Sequence, residues 1–299
     1  MKSPGRFLAA IVAILAGIIV AAVIVVAVRS NAVLHRIHAV PPAELTVTSD
    51  AAAVARGRHV ALVRGCVACH GPDLGGAEVM DNFPMGRIYG PNLTRGRGGL
   101  PEGFTDEDFE RAIRHGVAPD GRGLFLMPSD DYADLSRSDL NDLIAYVKSV
   151  PPVNRASVPI HLGPVARVLL AAGKMTLAAD RIDHANVQPD EVPRGATVAY
   201  GRYLSTACSG CHGEHFSGGK IAGGAPDWPP AANLTPDPSG GLGKWTEADF
   251  EHLLKTGLRP DGSSVSPVMP RVFGQMDPTE MQALWQFLRS LPPRPTGSH

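Results

Sequence analysis

The chain opens with an unbroken apolar run of 22 residues, Phe7 to Val28. At about 1.5 Å per residue, a helix of that length reaches about 33 Å, enough to cross the hydrocarbon core of a bilayer. Lys2 and Arg6 precede the run, and Arg29, Ser30 and Asn31 follow it. The apolar core of a cleaved signal is usually about 7–15 residues, and no small-x-small site follows Val28, so the run is expected to persist as an anchor. Pro41-Pro42 blocks any helical extension and opens a stalk, which makes 1–49 an anchor-and-stalk segment.

Beyond residue 50 the apolar positions become periodic. Ala51 to Val63, rich in Ala and Val, predicts a short helix. Thr105 is suited to cap a second one, with Asp106, Glu107 and Asp108 in the first turn where the helix dipole favours acids. Phe109, Ala112 and Ile113 form its apolar face, and Gly116 ends it. Leu140, Leu143, Ile144 and Val147 fall at helical spacing and stop at Pro151-Pro152. Between these helices, Gly71 to Gly99 reads as a Gly-rich loop in which Asn92-Leu93-Thr94 is a packing element. A unit at 50–152 results.

Residues 153–192 carry no such pattern. Val165 to Leu177 predicts a helix anchored by Leu169, Leu170 and Leu177. It is too short, and too interrupted by Gly163, Pro164 and Gly173, to cross a membrane. The segment reads as a strap packed on or between the two units, with His161 and His184 as surface residues or neighbours of a cofactor's propionates.

From residue 193 to 299 the pattern of the first unit returns. Gly57-Arg58-His59 corresponds to Gly201-Arg202-Tyr203, and Asn92-Leu93-Thr94 to Asn233-Leu234-Thr235. Phe104-Thr105-Asp106 corresponds to Trp245-Thr246-Glu247, and Asp108-Phe109 to Asp249-Phe250. Pro119-Asp120-Gly121 returns as Pro260-Asp261-Gly262, and Met127-Pro128 as Met269-Pro270. The last helix recurs with Met281, Leu284, Trp285 and Leu288 before Pro292-Pro293. Self-similarity over this length implies two copies of one domain.

Composition and charge sharpen this picture only in part. Gly (33) and Pro (27) are high for a helical protein and aromatics are 6%, which suits small loop-rich domains around a large apolar cofactor. The net charge of −1 leaves no nucleic-acid footprint. Residues 50–152 hold 11 Lys and Arg against 15 Asp and Glu, whereas 193–299 hold 9 against 9. The acidic first unit suits a solvated surface or a basic docking partner.

The chemistry is concentrated in four cysteines. Cys66-Val67-Ala68-Cys69-His70 and Cys208-Ser209-Gly210-Cys211-His212 use all of them. C-x-x-C-H is the attachment pattern of c-type haem. The two thiols add across the haem vinyl groups, and the adjacent imidazole falls under the iron as an axial ligand. Zinc binding or thiol redox chemistry are the competing uses of a C-x-x-C pair. The immediate histidine, the repeat and the export signal oppose them. Two covalently bound haem c groups are therefore expected. For the sixth iron position the repeat offers Met127 and Met269, each 57 residues beyond its motif histidine. A thioether in that position suits a low-spin haem and raises its potential. His59 and His115 read as ordinary helix residues. His215 and His252 align with Leu74 and Arg111, so the repeat does not support them as ligands, and Met276, opposite Leu135, reads as core.

These residues resemble class I cytochrome c, twice over. The N-L-T loop, the aromatic-Thr-acid-x-Asp-Phe helix start, the Pro-Asp-Gly turn and the Met-Pro resemble the multihaem cytochrome c subunits of membrane-bound bacterial alcohol dehydrogenases. Those subunits carry three haem motifs, and this chain carries two. The resemblance covers about residues 50–295. It implies an all-α fold, with an N-terminal transmembrane helix followed by two tandem cytochrome c domains in which the first and last helices cross. It also implies outer-sphere electron transfer between a dehydrogenase or quinol-oxidising complex and a soluble cytochrome or terminal oxidase. The haem domains would lie on the periplasmic side of the inner membrane. The competing function is a dihaem peroxidase-like enzyme, which needs one iron with a displaceable ligand.

Overall fold

The computed structural model describes residues 4–221, 224 and 227–298. The apolar run lies within helix α1 (Pro4–Leu34), whose residues Gly5–Leu34 are long and apolar enough to cross a membrane. None of that apolar stretch is buried within the protein. After Leu34 the chain runs extended. His38 N donates to Gly121 O at 2.9 Å, and Leu45 and Val47 lie against the core of the first unit, so the stalk is docked on it.

The first unit contains α2 (Ala51–Val63), the single-turn α3 (Cys66–His70), α4 (Asp106–His115) and α5 (Arg137–Ser149). The connection contributes α6 (Pro164–Ala171), and the second unit α7 (Val198–His212), α8 (Glu247–Thr256) and α9 (Pro278–Ser290). Caps set the matched boundaries. Thr105 and Asp108 exchange side-chain and backbone hydrogen bonds in a capping box, as do Thr246 and Asp249. Gly116 and Gly257 end these helices at φ 63° and 74°, left-handed conformations that glycine adopts without steric cost.

The first and last helices of each unit cross at a glycine. A Cβ on Gly57 would overlap the carbonyl oxygen of Asp142 in α5, and one on Gly201 would overlap that of Ala283 in α9. The missing side chain lets the two backbones touch. Around the crossings lie two cores. Leu74, Phe109, Leu140, Leu143 and Ile144 belong to one, and Phe216, Phe250, Met281, Leu284 and Leu288 to the other. The Asn–Leu–Thr loops close both in the same way. Asn92 Oδ1 accepts from Thr94 N and Oγ1 at 2.9 and 2.8 Å, while its Nδ2 donates to Val153 O at 2.8 Å. Asn233 accepts from Thr235 at 2.9 and 2.7 Å and donates to Arg294 O at 2.7 Å.

Three sequence expectations change. The supposed loop at 71–99 contains a hairpin, β1 (Ala77–Asn82) and β2 (Gly86–Gly90), and β3 (His161–Leu162) extends it to a small antiparallel sheet. The fold is thus mostly rather than purely helical. A bulge between Glu78 and Met80 breaks the alternation that would have marked the strand. Among the described residues, the second unit has one bridge there, Gly219 with Ala231. The expected Val165–Leu177 helix shortens to α6, which packs against α1 rather than between the two cores. Finally, Leu74 and Phe216 share positive φ (52° and 57°), and each accepts from the leucine of its N-L-T loop at 2.8 Å. They are the equivalent pair, so His215 aligns with Asp73 and not with Leu74.

Candidate haem centres

Each attachment motif ends a helix, so its imidazole is presented from a fixed turn. α3 carries Cys66, Cys69 and His70 after a break at Gly65 (φ 79°), while α7 runs unbroken through Cys208, Cys211 and His212. His70 Nδ1 lies 3.0 Å from Pro91 O, and His212 Nδ1 lies 2.7 Å from Ala232 O. A carbonyl oxygen can only accept, so Nδ1 is the protonated nitrogen in both rings. Nε2 then keeps its lone pair free for a metal. Burial lowers both imidazole pKa values, against the opposing effect of those carbonyl bonds, and so favours the neutral, ligating form.

The structure places Cys66, Cys69, His70 and Met127 on the wall of one cavity of about 270 Å³. Cys208, Cys211, His212 and Met269 line a second, of about 340 Å³. The remaining walls are largely apolar. Ile88, Phe109, Leu143 and Val147 contribute to the first, and Trp245, Phe250, Leu284 and Leu288 to the second. Burial pushes the Cys66 and Cys208 thiols up to about 12 and also raises Cys69 and Cys211. Protonated thiols in an apolar slot fit thioether formation with a flat hydrophobic macrocycle. Among the described residues, no cluster of three metal-ligating side chains includes a cysteine, so the two pairs do not converge on one metal.

The rival histidines lie apart from these walls. His115 and His184 pair with each other, Nδ1 to Nδ1 at 3.0 Å, and His161 is exposed on β3. His215 and His252 line neither cavity. Met276 is 4% exposed and sits in the second core.

Sequence reasoning missed the side chains that join the two halves. Arg64, two residues before Cys66, donates to Thr206 Oγ1 at 2.7 Å and Tyr203 O at 3.2 Å in α7, and its guanidinium lies 4.8 Å from the Tyr203 ring centre. Tyr203 in turn donates to Asp139 Oδ2 at 2.5 Å and packs against the first core, whereas Val63 belongs to the second. Asp131, just after Met127-Pro128, lies against Gly210 between the second pair of cysteines. Nothing in a one-dimensional pattern marks Arg64 or Asp131, because their roles depend on how the units meet. His59, read as an ordinary helix residue, instead contacts Glu280 of the second unit.

The paired thiols, the oriented imidazole and the apolar slot define a c-type cytochrome, and the chain belongs to the cytochrome c family, whose pattern matches residues 54–151 and 198–292. Haem c is that family's cofactor, and the donor set here fits it. Among characterised relatives, the chain is 31% identical over 282 residues to the cytochrome c subunit of an alcohol dehydrogenase (quinone) from Gluconacetobacter polyoxogenes, covering 84% of this chain and 58% of that subunit. It is 28% identical to the fructose dehydrogenase cytochrome subunit of Gluconobacter japonicus, covering 86% of this chain and 56% of the subunit. It is 26% identical to a dihaem cytochrome c-type protein of Cereibacter sphaeroides, covering 79% and 85%. The chain thus spans less than two thirds of the two dehydrogenase subunits. These relatives are cytochromes rather than catalytic subunits, and this chain is likewise an electron-transfer protein, not an enzyme.

Proposed function

We propose that the chain is a membrane-anchored dihaem cytochrome c. It would carry electrons from a dehydrogenase or quinol-oxidising complex to a downstream cytochrome or terminal oxidase. In this reading 1–49 is anchor and stalk, 50–152 and 193–299 are the cytochrome domains, and 153–192 connects them. α1 crosses the inner membrane, and the domains face the periplasm, where haem c is attached. Cys66 and Cys69 bind one haem and Cys208 and Cys211 the other. His70 with Met127, and His212 with Met269, would hold the two irons.

The observation that carries this proposal is the pair of matched cavities, each holding two thiols, one imidazole with a free Nε2 and one thioether. A bound haem would supply a reversible one-electron couple. The protein's share is to fix the ligands, exclude water with apolar walls and hold the two centres together. A methionine in both cavities favours this carrier over a peroxidase-like enzyme.

Haem quantification on the full-length protein tests the reading. Two haem c per chain are expected, falling to one in Cys66→Ala/Cys69→Ala and to one in Cys208→Ala/Cys211→Ala. A wild-type value of one or none would refute it.

A further inference from the structure

The β1–β2 tip and α6 both expose apolar side chains, as Ile37 and Leu126 do elsewhere. Phe83, at the β1–β2 tip, is 84% exposed, and Val165 and Val168 on α6 are 44% and 49% exposed. Tip and helix form one unit, because Gly163 N donates to Met85 O and Val165 N to Pro84 O, both at 2.9 Å. Val165, Val168 and Ala172 follow one another at helical spacing as an exposed stripe, while Ala166 and Leu170 are buried.

The position of this unit identifies its partner. α6 packs on the end of α1, where Arg167 Nη1 donates to Ser30 Oγ at 3.2 Å and to Asn31 Oδ1 at 3.1 Å. Ser30 and Asn31 lie just beyond Val28, the last residue of the apolar run. The bare side chains of the tip and α6 therefore sit at the level where α1 leaves the hydrocarbon. Arg29, next to Ser30, and Lys174, two residues beyond Ala172, are exposed and add positive charge.

We propose that the β1–β2 tip and α6 form a second, interfacial contact with the phospholipid bilayer. Phe83, Val165 and Val168 enter the boundary between headgroups and acyl chains, and Arg29 and Lys174 meet the phosphates. An amphipathic surface flanked by basic side chains is the chemistry such a boundary binds. The proposal rests on the reading that α1 spans the membrane. Its structural consequence is a fixed attitude of the first cavity, because β2 runs from the tip to Ile88, Tyr89 and Gly90 on the cavity wall.

The test uses the full-length holoprotein in vesicles of phosphatidylethanolamine and phosphatidylglycerol that contain a lipid with a photoactivatable carbene precursor in its acyl chain. Labelled peptides are mapped by mass spectrometry. Label is expected on α1, on residues 82–86 and on α6, but not around Val187, which is 83% exposed and serves as the solvent control. The variant Phe83→Asp/Val165→Asp/Val168→Asp should lose about fivefold or more of the label at the tip and α6 while α1 stays labelled. Label on α1, with the tip and α6 no higher than the Val187 peptide, overturns this proposal and leaves the anchor standing. Absence of label from α1 as well overturns both.

Discussion

Nε2 of His59, on α2 in the first unit, lies 2.8 Å from Oε2 of Glu280, on α9 in the second. Glu280 is 2% exposed, receives a hydrogen bond from the Tyr200 hydroxyl at 3.4 Å, and accepts from Asp277 N at 2.9 Å in a capping box. Arg194 pairs with Asp277 beside it. Although His59, Asp277 and Glu280 are close enough to suggest a cation site, Arg194 already supplies positive charge there, and the group acts as a latch between the units. His59→Ala leaves the buried carboxylate short of a partner and should lower stability by about 1–3 kcal/mol. Denaturant unfolding of the holoprotein measures this. Combining His59→Ala with Glu280→Gln should cost less than the sum of the two changes.

The helix crossings give a second expectation. Gly201→Ala drives a methyl group into the carbonyl oxygen of Ala283, and the helices cannot separate without opening the second core. A loss of about 1–3 kcal/mol is expected, with a similar loss for Gly57→Ala against Asp142. A lower unfolding midpoint for each single variant is the readout. Gly5, with nothing within 4 Å of a Cβ placed on it, is the control position.

The two methionines can be separated electrochemically. Met127→His exchanges a thioether for a stronger donor to oxidised iron. It should lower one midpoint potential by on the order of 100 mV, a fraction of the roughly 0.8 V that axial ligands span, and leave the other nearly unchanged. Met269→His should move the other haem instead. Potentiometric titration with optical detection resolves the two, and a variant that shifted neither would remove that methionine from the ligand set.

Asp131 predicts a pH effect. Burial first, and the Asp130 charge second, push its carboxyl from the ordinary 3.8 up to about 6, against the opposing pull of Arg64 and Arg181. Between about pH 4 and 6 the folded protein therefore holds a proton that the unfolded chain has released. Stability from this group falls as pH rises through that window and stays at the lower level above it. Asp131→Asn should be more stable than the parent at pH 7 by about 1–2 kcal/mol, allowing for partial exposure. The difference should vanish below about pH 4, and thermal unfolding across this range checks both the sign and the window.

The sequence reveals what depends on local or repeated chemistry. The cysteines, their histidines, the capped helices and the glycines at the crossings all recur at matching positions, and recurrence separates them from chance. The hairpin at Ala77–Gly90 escapes because its bulge disrupts the two-residue period. The contacts of Arg64, Asp131, His59 and Glu280 escape for another reason. They run between the two copies: His59 and Tyr203 hold equivalent positions, as do Glu280 and Asp139, and a recurring position does not show that its partner lies in the other unit. His215 stands three residues after its motif histidine, as Asp73 does, so spacing alone carries the alignment that the matched backbone of Leu74 and Phe216 shows.

Arg64 also ties the geometry of the two centres together. It stands two residues ahead of the first cysteine pair and grips the helix that ends in the second. A duplicated domain on a flexible tether would have to wait for chance encounters between its halves. Here the spacing between the two cavities is part of the folded structure, so on the proposed dihaem reading an electron that reached one would find the next at a constant distance.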